Sequence, residues 1–303
     1  MKNAIKVFVN GQAFEPQNAK ISVFDRGFLF GDAVYEVARS YGRVFMELEP
    51  HISRMFNSAN MISLDLQKSE EDYIQDIYKA YQRIPLDNIY MRIQITRGEG
   101  TIGLNMANAL KPNVIIYFRH LDPVPDEWYE RGVSIATTGR LRNPKKALDP
   151  NIKSGNYLNN VLAFMDAVKI KAIESIMVNS QGLITEGTTS NIFSVKNGIL
   201  ITPPVEFDIL QGITRKIVLA LAKNLKIPAK EAGSTPAELE NSDEVFLTSS
   251  TREVLPVRFV NGKEIGAPGM GPITKQLAAA YKEFVREYCG RAKEKYGALL
   301  QAK

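Results

Sequence analysis

Ile152-Lys153-Ser154-Gly155-Asn156-Tyr157 sets a lysine in a polar, glycine-containing break just before a helix-like run. Downstream, Ile184-Thr185-Glu186-Gly187 sets a carboxylate at the end of an apolar, strand-like run. A lysine amine forms a Schiff base with a carbonyl. A carboxylate beside the ring nitrogen of a pyridine keeps that nitrogen protonated and the ring able to accept electrons. Each residue also has a plainer reading, Lys153 as a solvated turn residue and Glu186 as an exposed charge at a strand end.

Composition narrows the class. The chain has 303 residues, 45% of them hydrophobic, enough for one large or two medium globular domains. One cysteine, Cys289, excludes an internal disulfide framework. Two histidines far apart, His51 and His120, leave no zinc cluster to expect, so the metal expectation is none. No run approaches the roughly 20 apolar residues of a membrane helix. The first ten residues read as a strand entering an Asn10-Gly11 turn rather than as a signal peptide, so cytoplasmic residence without a membrane partner is expected. The net charge of +5 is dispersed, with acidic and basic residues alternating as in Lys293-Glu294-Lys295. That is a solvated helix face and not a nucleic-acid patch.

Upstream of the lysine the chain reads as strands, then helices, then strands. Residues 5–9, 21–24, 33–40 and 44–46 are strand-like, with turns at Asn10-Gly11 and Tyr41-Gly42. Ile52, Met55 and Ala59, then Tyr73, Ile77 and Tyr81, recur at three and four spacing and predict helices over 49–61 and 69–83. Residues 88–96 and 113–119 return to strand character. The pattern is α+β, spanning residues 1–121. Pro123 and Pro125 with charged neighbours predict a linker over 122–130. Residues 131–303 read as a second unit, a curved or barrel-like sheet with flanking helices. Its predicted strands cover 132–138, 175–178, 191–195, 199–201, 244–248 and 253–260, and its predicted helices 157–171, 214–225 and a last one from Pro272.

Three local patterns bear on ligand chemistry. Gly98-Glu99-Gly100-Thr101-Ile102-Gly103 matches a dinucleotide fingerprint and follows a strand, but no helix opens within it, so a loop is expected. In Leu210-Gln211-Gly212-Ile213-Thr214-Arg215 a glycine turn opens directly into a helix, where free backbone N–H groups and the helix dipole favour an anion; simple capping is the alternative. Thr248-Ser249-Ser250-Thr251-Arg252 could cradle an anion or satisfy a turn. Arg54 lies among apolar neighbours and either pairs with a phosphate or reaches to solvent. No Ser-His-Asp or Cys-His arrangement supports a hydrolase.

Taken in order, these segments resemble the class IV, or fold-type IV, pyridoxal-phosphate aminotransferases over nearly the whole chain. The resemblance rests on Phe24-Asp-Arg-Gly-Phe-Leu-Phe-Gly-Asp32, Val34-Tyr-Glu36, His51 to Arg54, 152–160, Thr185-Glu-Gly187, Asn191-Ile-Phe193, Gly212-Ile-Thr-Arg215, Asp243-Glu-Val-Phe246, Glu253-Val-Leu-Pro256 and Gly271-Pro-Ile-Thr274. It implies a small N-terminal α/β domain and a larger C-terminal pseudo-barrel carrying the cofactor lysine. It implies a pyridoxal 5′-phosphate cofactor with Lys153 as the catalytic Schiff-base residue, Glu186 at the pyridine nitrogen and Tyr157 on the ring hydroxyl side. Arg54, the backbone of Ile213 and Thr214, and Ser250 would hold the phosphate. It further implies a homodimer, amino acids and 2-oxo acids as substrates, and ping-pong kinetics.

For the substrate, Tyr35-Glu36-Val37, Thr188-Thr-Ser-Asn191, Leu210-Gln-Gly212 and Thr248-Ser-Ser-Thr251 look like D-amino-acid transaminases. Tyr90-Met-Arg92, Gly103-Leu104 and Gly155-Asn-Tyr157-Leu158 look like branched-chain enzymes. The carboxylate-trapping Arg-x-His of D-amino-acid enzymes falls on Ile102-Gly103-Leu104. Arg26, Arg92 and Arg97 are the available substitutes, each open also to a surface or phosphate-supporting reading. Tyr35, Tyr90 and Thr251 complete the expected substrate side. Arg252 adds bulk and charge where branched-chain enzymes have a small residue. The resemblance leans to D-amino acids such as D-alanine or D-glutamate with 2-oxoglutarate as acceptor, over the branched-chain L-amino acids. Aminodeoxychorismate lyase, a nicotinamide-dependent oxidoreductase and a non-catalytic binding protein follow at a distance.

Overall fold

The computed structural model describes residues 4–109 and 111–300, without the side chains of residues 4 and 5. Residues 1–3 of the first predicted strand and 301–303 lie outside the described residues. Contacts divide the chain into two units, the first comprising Met1–Asp122, Ile152–Asn156 and Val285–Lys303.

In the first unit, β1 (Ala4–Val9) and β2 (Gln12–Phe14) form a hairpin across Asn10 and Gly11. Both turn residues have positive φ, 50° and 82°, which Asn-Gly adopts readily. The short helix α1 (Arg26–Phe30), capped by the Asp25 side chain, leads to β3 (Ala33–Tyr41) and β4 (Val44–Phe45). Helices α2 (Leu48–Met61) and α3 (Glu70–Gln82) follow, α3 opened by a Ser69/Asp72 capping box. Strands β5 (Ile89–Thr96) and β6 (Asn113–His120) complete an antiparallel sheet of order β2-β1-β6-β5-β3-β4.

Alternation along the strands sorts the side chains. Val34, Ala38, Met91 and Ile93 join the core built with Ile52 and Met55 of α2 and Tyr73 and Ile77 of α3. Tyr35 and Val37, with Gln94 and Arg92 paired opposite them, take the other face. The expected strand at 21–24 is a loop and turn, with Ile21, Val23 and Phe24 each at least 45% exposed; its apolar residues imitate a strand that has no neighbour to pair with. The glycine-rich segment is a loop that no helix enters. A Cβ on Gly98 would lie 1.7 Å from the Lys111 carbonyl oxygen, and one on Gly100 2.1 Å from that of Asn108, so close backbone crossings require these glycines.

The second unit comprises Pro123–Asn151 and Tyr157–Phe284. The predicted linker holds most of a helix, α4 (Asp126–Arg131), with Glu127 and Arg131 paired one turn apart. Then come β7 (Val133–Leu141), α5 (Lys145–Leu148), α6 (Leu158–Lys169), β8 (Ser175–Val178) and β9 (Ile184–Gly187). Next are β10 (Asn191–Lys196), β11 (Ile199–Thr202), α7 (Ile213–Asn224), β12 (Ala229–Glu231) and α8 (Pro236–Glu240). Strands β13 (Glu244–Ser249), β14 (Glu253–Val260) and β15 (Lys263–Glu264) precede the long α9 (Pro272–Leu300), whose residues from Val285 group with the first unit.

The second sheet runs β12-β11-β10-β13-β14-β7-β8-β9, with β15 on β14. Strands β9 and β10 stand five places apart in that order yet are joined by residues 188–190 alone. In a flat sheet the gap would be ~24 Å, whereas the connection reaches at most ~14 Å. The sheet must therefore curl, as the barrel-like expectation requires. The fold is α+β, with a curled sheet in its second unit.

The segment carrying Lys153 groups with the first unit rather than with the C-terminal one expected to carry it. Backbone pairing explains this: Tyr35 N–H donates to the Lys153 carbonyl at 2.9 Å, and Gly155 N–H to that of Ala33 at 2.8 Å. The segment thus lies along β3. Among the described residues no helix is long and apolar enough to cross a membrane, and no group of His, Cys, Asp and Glu side chains is arranged to hold a metal ion.

Candidate active site

In the first unit, the segment pairing with β3 brings the Lys153 amine to Tyr35. Lys153 Nζ lies 3.4 Å from the Tyr35 hydroxyl and 4.4 Å from the ring centroid. The Arg92 guanidinium lies 3.7 Å from the centroid of the same ring and donates to Gln94 Oε1. One tyrosine therefore meets both cations. The Ser58 hydroxyl on α2 accepts from the Lys153 backbone N–H at 3.1 Å.

On the other face of β3, Glu36 is fully buried and meets residues of α2. Arg54 donates to both its oxygens, at 2.6 and 2.8 Å, in a fork, and His51 Nδ1 lies 2.7 Å from Oε2. His51, Arg54 and Ser58 recur at helical spacing, so α2 presents all three along one side. Burial works to raise the Glu36 carboxyl, but the charge of Arg54 and the hydrogen bonds from Arg54 and His51 overcome it and hold it well below the usual carboxylate range. Burial lowers His51 below its ordinary value against the pull of Glu36, so the ring is neutral and Nδ1–H donates to the carboxylate.

The remaining first-unit candidates are placed differently. Arg26, only 4% exposed, donates to Asp32 and to the carbonyls of Gly103, Leu104 and Asn105. Arg97 is spent on Asp32, Ile62 and Ser63. These two arginines anchor loops, which argues against a carboxylate-trapping role. Tyr90 stacks on Tyr117, and Arg119 lies over its ring.

In the second unit, Glu186 on β9 is 5% exposed. Its carboxylate accepts from Arg142 Nε at 2.9 Å, from the Leu210 backbone N–H at 2.9 Å and from Asn191 Nδ2 at 3.3 Å. Asn191 also donates to the Leu210 carbonyl at 3.0 Å. A Cβ on Gly212 would lie 1.9 Å from Asn191 Oδ1, so any side chain at the start of α7 would displace the Asn191 amide. Gly212 caps α7 without a side-chain bond, which leaves the first turn to the backbone N–H groups of Ile213 and Thr214. Tyr157, the residue before α6, donates through its hydroxyl to the Thr188 carbonyl at 3.1 Å. Ser250, Thr251 and Arg252 form the turn between β13 and β14, and Arg252 pairs with Glu174 at 3.2 Å.

Sequence reasoning named no role for Arg142, Glu174 or Ser58. Nothing local marks them, because, apart from the Ser175 N–H next to Glu174, their partners lie 44, 14 to 78 and 95 residues away. Asn191 stood within a motif of the sequence, and the apolar strand that it opens was the available signal.

The family model for amino-transferase class IV matches residues 33–260. A putative branched-chain-amino-acid aminotransferase of Methanocaldococcus jannaschii is 37% identical over 279 residues, covering 92% of this chain and 96% of that one. The D-alanine aminotransferase of Staphylococcus aureus is 35% identical over 284 residues, covering 93% and 99%. Among solved structures, the branched-chain amino acid aminotransferase of Escherichia coli superposes with a TM-score of 0.89 at 28% identity, covering 93% of this chain and 95% of that one.

Enzymes of this family use pyridoxal 5′-phosphate, and the chain's residues fit it. Lys153 offers a primary amine, Glu186 a buried carboxylate suited to a protonated ring nitrogen, and α7 a glycine start with no capping side chain. The chain is a pyridoxal-phosphate enzyme and belongs to the class IV aminotransferases.

Proposed function

We propose that the enzyme transfers the amino group of branched-chain L-amino acids to 2-oxoglutarate, with Lys153 as its catalytic residue. The observation that carries this reading is Tyr35, whose ring meets the Lys153 amine on one hand and the Arg92 guanidinium, at 3.7 Å, on the other. A guanidinium suits a carboxylate, and one that shares the Tyr35 ring with the reacting amine suits the distal carboxylate of a dicarboxylic acceptor. The apolar Ile102 and Leu104, 72% and 80% exposed, stand where a D-specific site would carry Arg-x-His, and they suit an apolar donor side chain.

Bound pyridoxal phosphate supplies the electron sink that acidifies the substrate α-carbon. Lys153 Nζ would hold the cofactor aldehyde and, as a free amine, would move the proton at the substrate α-carbon. Glu186, fixed by Arg142, Asn191 and the Leu210 N–H, keeps the ring nitrogen protonated. Tyr157 donates to the ring hydroxyl oxygen. Arg54, the N–H groups of Ile213 and Thr214, and Ser250 bind the phosphate. Tyr35, Tyr90, Arg92 and Thr251 orient the substrate, and Arg26 drops out of that set because its donors serve the loop. The enzyme acts as a homodimer.

A second reading, D-amino acids such as D-alanine, draws on Tyr35-Glu36-Val37 and Thr188-Thr-Ser-Asn191. Assaying L-leucine and D-alanine side by side, each with 2-oxoglutarate, separates the two. Turnover of L-leucine in preference to D-alanine is expected. Turnover of D-alanine alone would replace the first reading by the second.

A further inference from the structure

We propose that Glu174 is a positioning residue for transamination, holding the turn that seats Tyr157; the inference rests on the reading of Tyr157 as donor to the cofactor's ring hydroxyl oxygen. Glu174 precedes β8 and is fully buried. Its Oε1 accepts from Ser175 N–H at 3.1 Å, Thr188 N–H at 2.8 Å and the Thr188 hydroxyl. Its Oε2 accepts from the hydroxyls of Thr189 at 3.0 Å and Ser190 at 3.1 Å and from Arg252 Nη1 at 3.2 Å. All three residues of the turn between β9 and β10 are thereby held by one carboxylate.

Closing that turn does not require such a device. The Gly187 N–H already donates to the Ser190 carbonyl at 2.7 Å. Threonine and serine hydroxyls commonly satisfy themselves on local backbone or water, and burying a carboxylate is costly unless its partners are well placed. What the arrangement fixes is the Thr188 carbonyl. With its N–H and hydroxyl both on Glu174, Thr188 presents its oxygen to the Tyr157 hydroxyl at 3.1 Å and to Asn160 Nδ2 at 2.8 Å. That oxygen sets the place of the phenol before a ring oxygen competes for its proton. The same turn joins Glu186 to Asn191, so Glu174 also governs the spacing of the groups assigned to the ring nitrogen. Gly187 makes room for it, since a Cβ there would lie 2.5 Å from Ser190 Oγ and 3.1 Å from the Glu174 side chain.

The test is the pH titration of the visible absorbance of the cofactor-loaded protein. A phenol donating to an anionic ring oxygen favours the charged form, so Tyr157→Phe should raise the titration midpoint by about one pH unit. Glu174→Gln should raise it in the same direction by a smaller step. In the Tyr157→Phe background Glu174→Gln should add nothing, because both act through one hydrogen bond. An unmoved midpoint in Glu174→Gln, or a shift that adds in full to that of Tyr157→Phe, overturns the positioning role and leaves the Tyr157 reading intact. An unmoved midpoint in Tyr157→Phe removes that reading and the proposal with it. Should Glu174→Gln fail to fold, Thr188→Val, which deletes one hydroxyl donor and keeps the amide, is read by the same criteria.

Discussion

Glu36 stands on the core face of a sheet, where a lone carboxylate would be prohibitive, and Arg54 and His51 make it tolerable. Removing one member of such a buried pair typically costs about 3–5 kcal/mol, mostly for the charge left behind. The arrangement also sets the direction of pH dependence. The folded-state value of His51 is depressed below 6.5, so under acid the unfolded chain takes up a proton that the folded chain refuses. Stability is therefore lost as pH falls below about 6.5, by at most about 1.4 kcal/mol per pH unit from this group. Glu36 contributes the same sign further down, its stabilisation shrinking progressively as pH falls from the ordinary carboxylate range to its own low value. Thermal melts at pH 7 and pH 5 should show a smaller drop for His51→Gln, a neutral hydrogen-bond donor, than for the native chain. Equal drops would mean that His51 is already charged in the folded protein.

At the scale of elements, α6 reverses the usual arrangement of a surface helix. Its buried residues are Asn160, Ala163 and Ala167, whereas Leu158, Val161, Met165 and Val168 are 68%, 47%, 53% and 53% exposed. Those four recur at three and four spacing and form one outward apolar stripe. A stripe of this kind marks an interface, and it is the face assigned here to the homodimer proposed above. Val161→Asp combined with Met165→Asp should convert a species of twice the chain mass to one of single mass in sedimentation. A native chain that sediments as a monomer, or a double variant still of twice the mass, would contradict that assignment. The apolar spacing of this helix was legible in the sequence, but its orientation was not: which side faces inward depends on small residues packing against strands that lie elsewhere in the chain.

For the whole molecule, what the sequence disclosed was what local pattern can disclose. The three and four spacing of Ile52, Met55 and Ala59 marked α2, and the glycine before Ile213 marked the start of α7. Residues 21–24 misled because apolar composition alone cannot supply a pairing partner. Lys153 follows the linker in sequence yet belongs with the first unit, since its membership is decided by backbone bonds to β3 more than 100 residues upstream. Arg142 and Glu174 were invisible for the same reason. The chemistry assigned to the chain nevertheless depends on one of the residues most plainly marked, the lysine between Ile152 and Ser154. Borohydride reduction of the protein loaded with pyridoxal phosphate, followed by proteolysis and mass spectrometry, tests that assignment directly. The phosphopyridoxyl group should be found on Lys153, and finding it on other lysines with Lys153 unmodified would contradict the account.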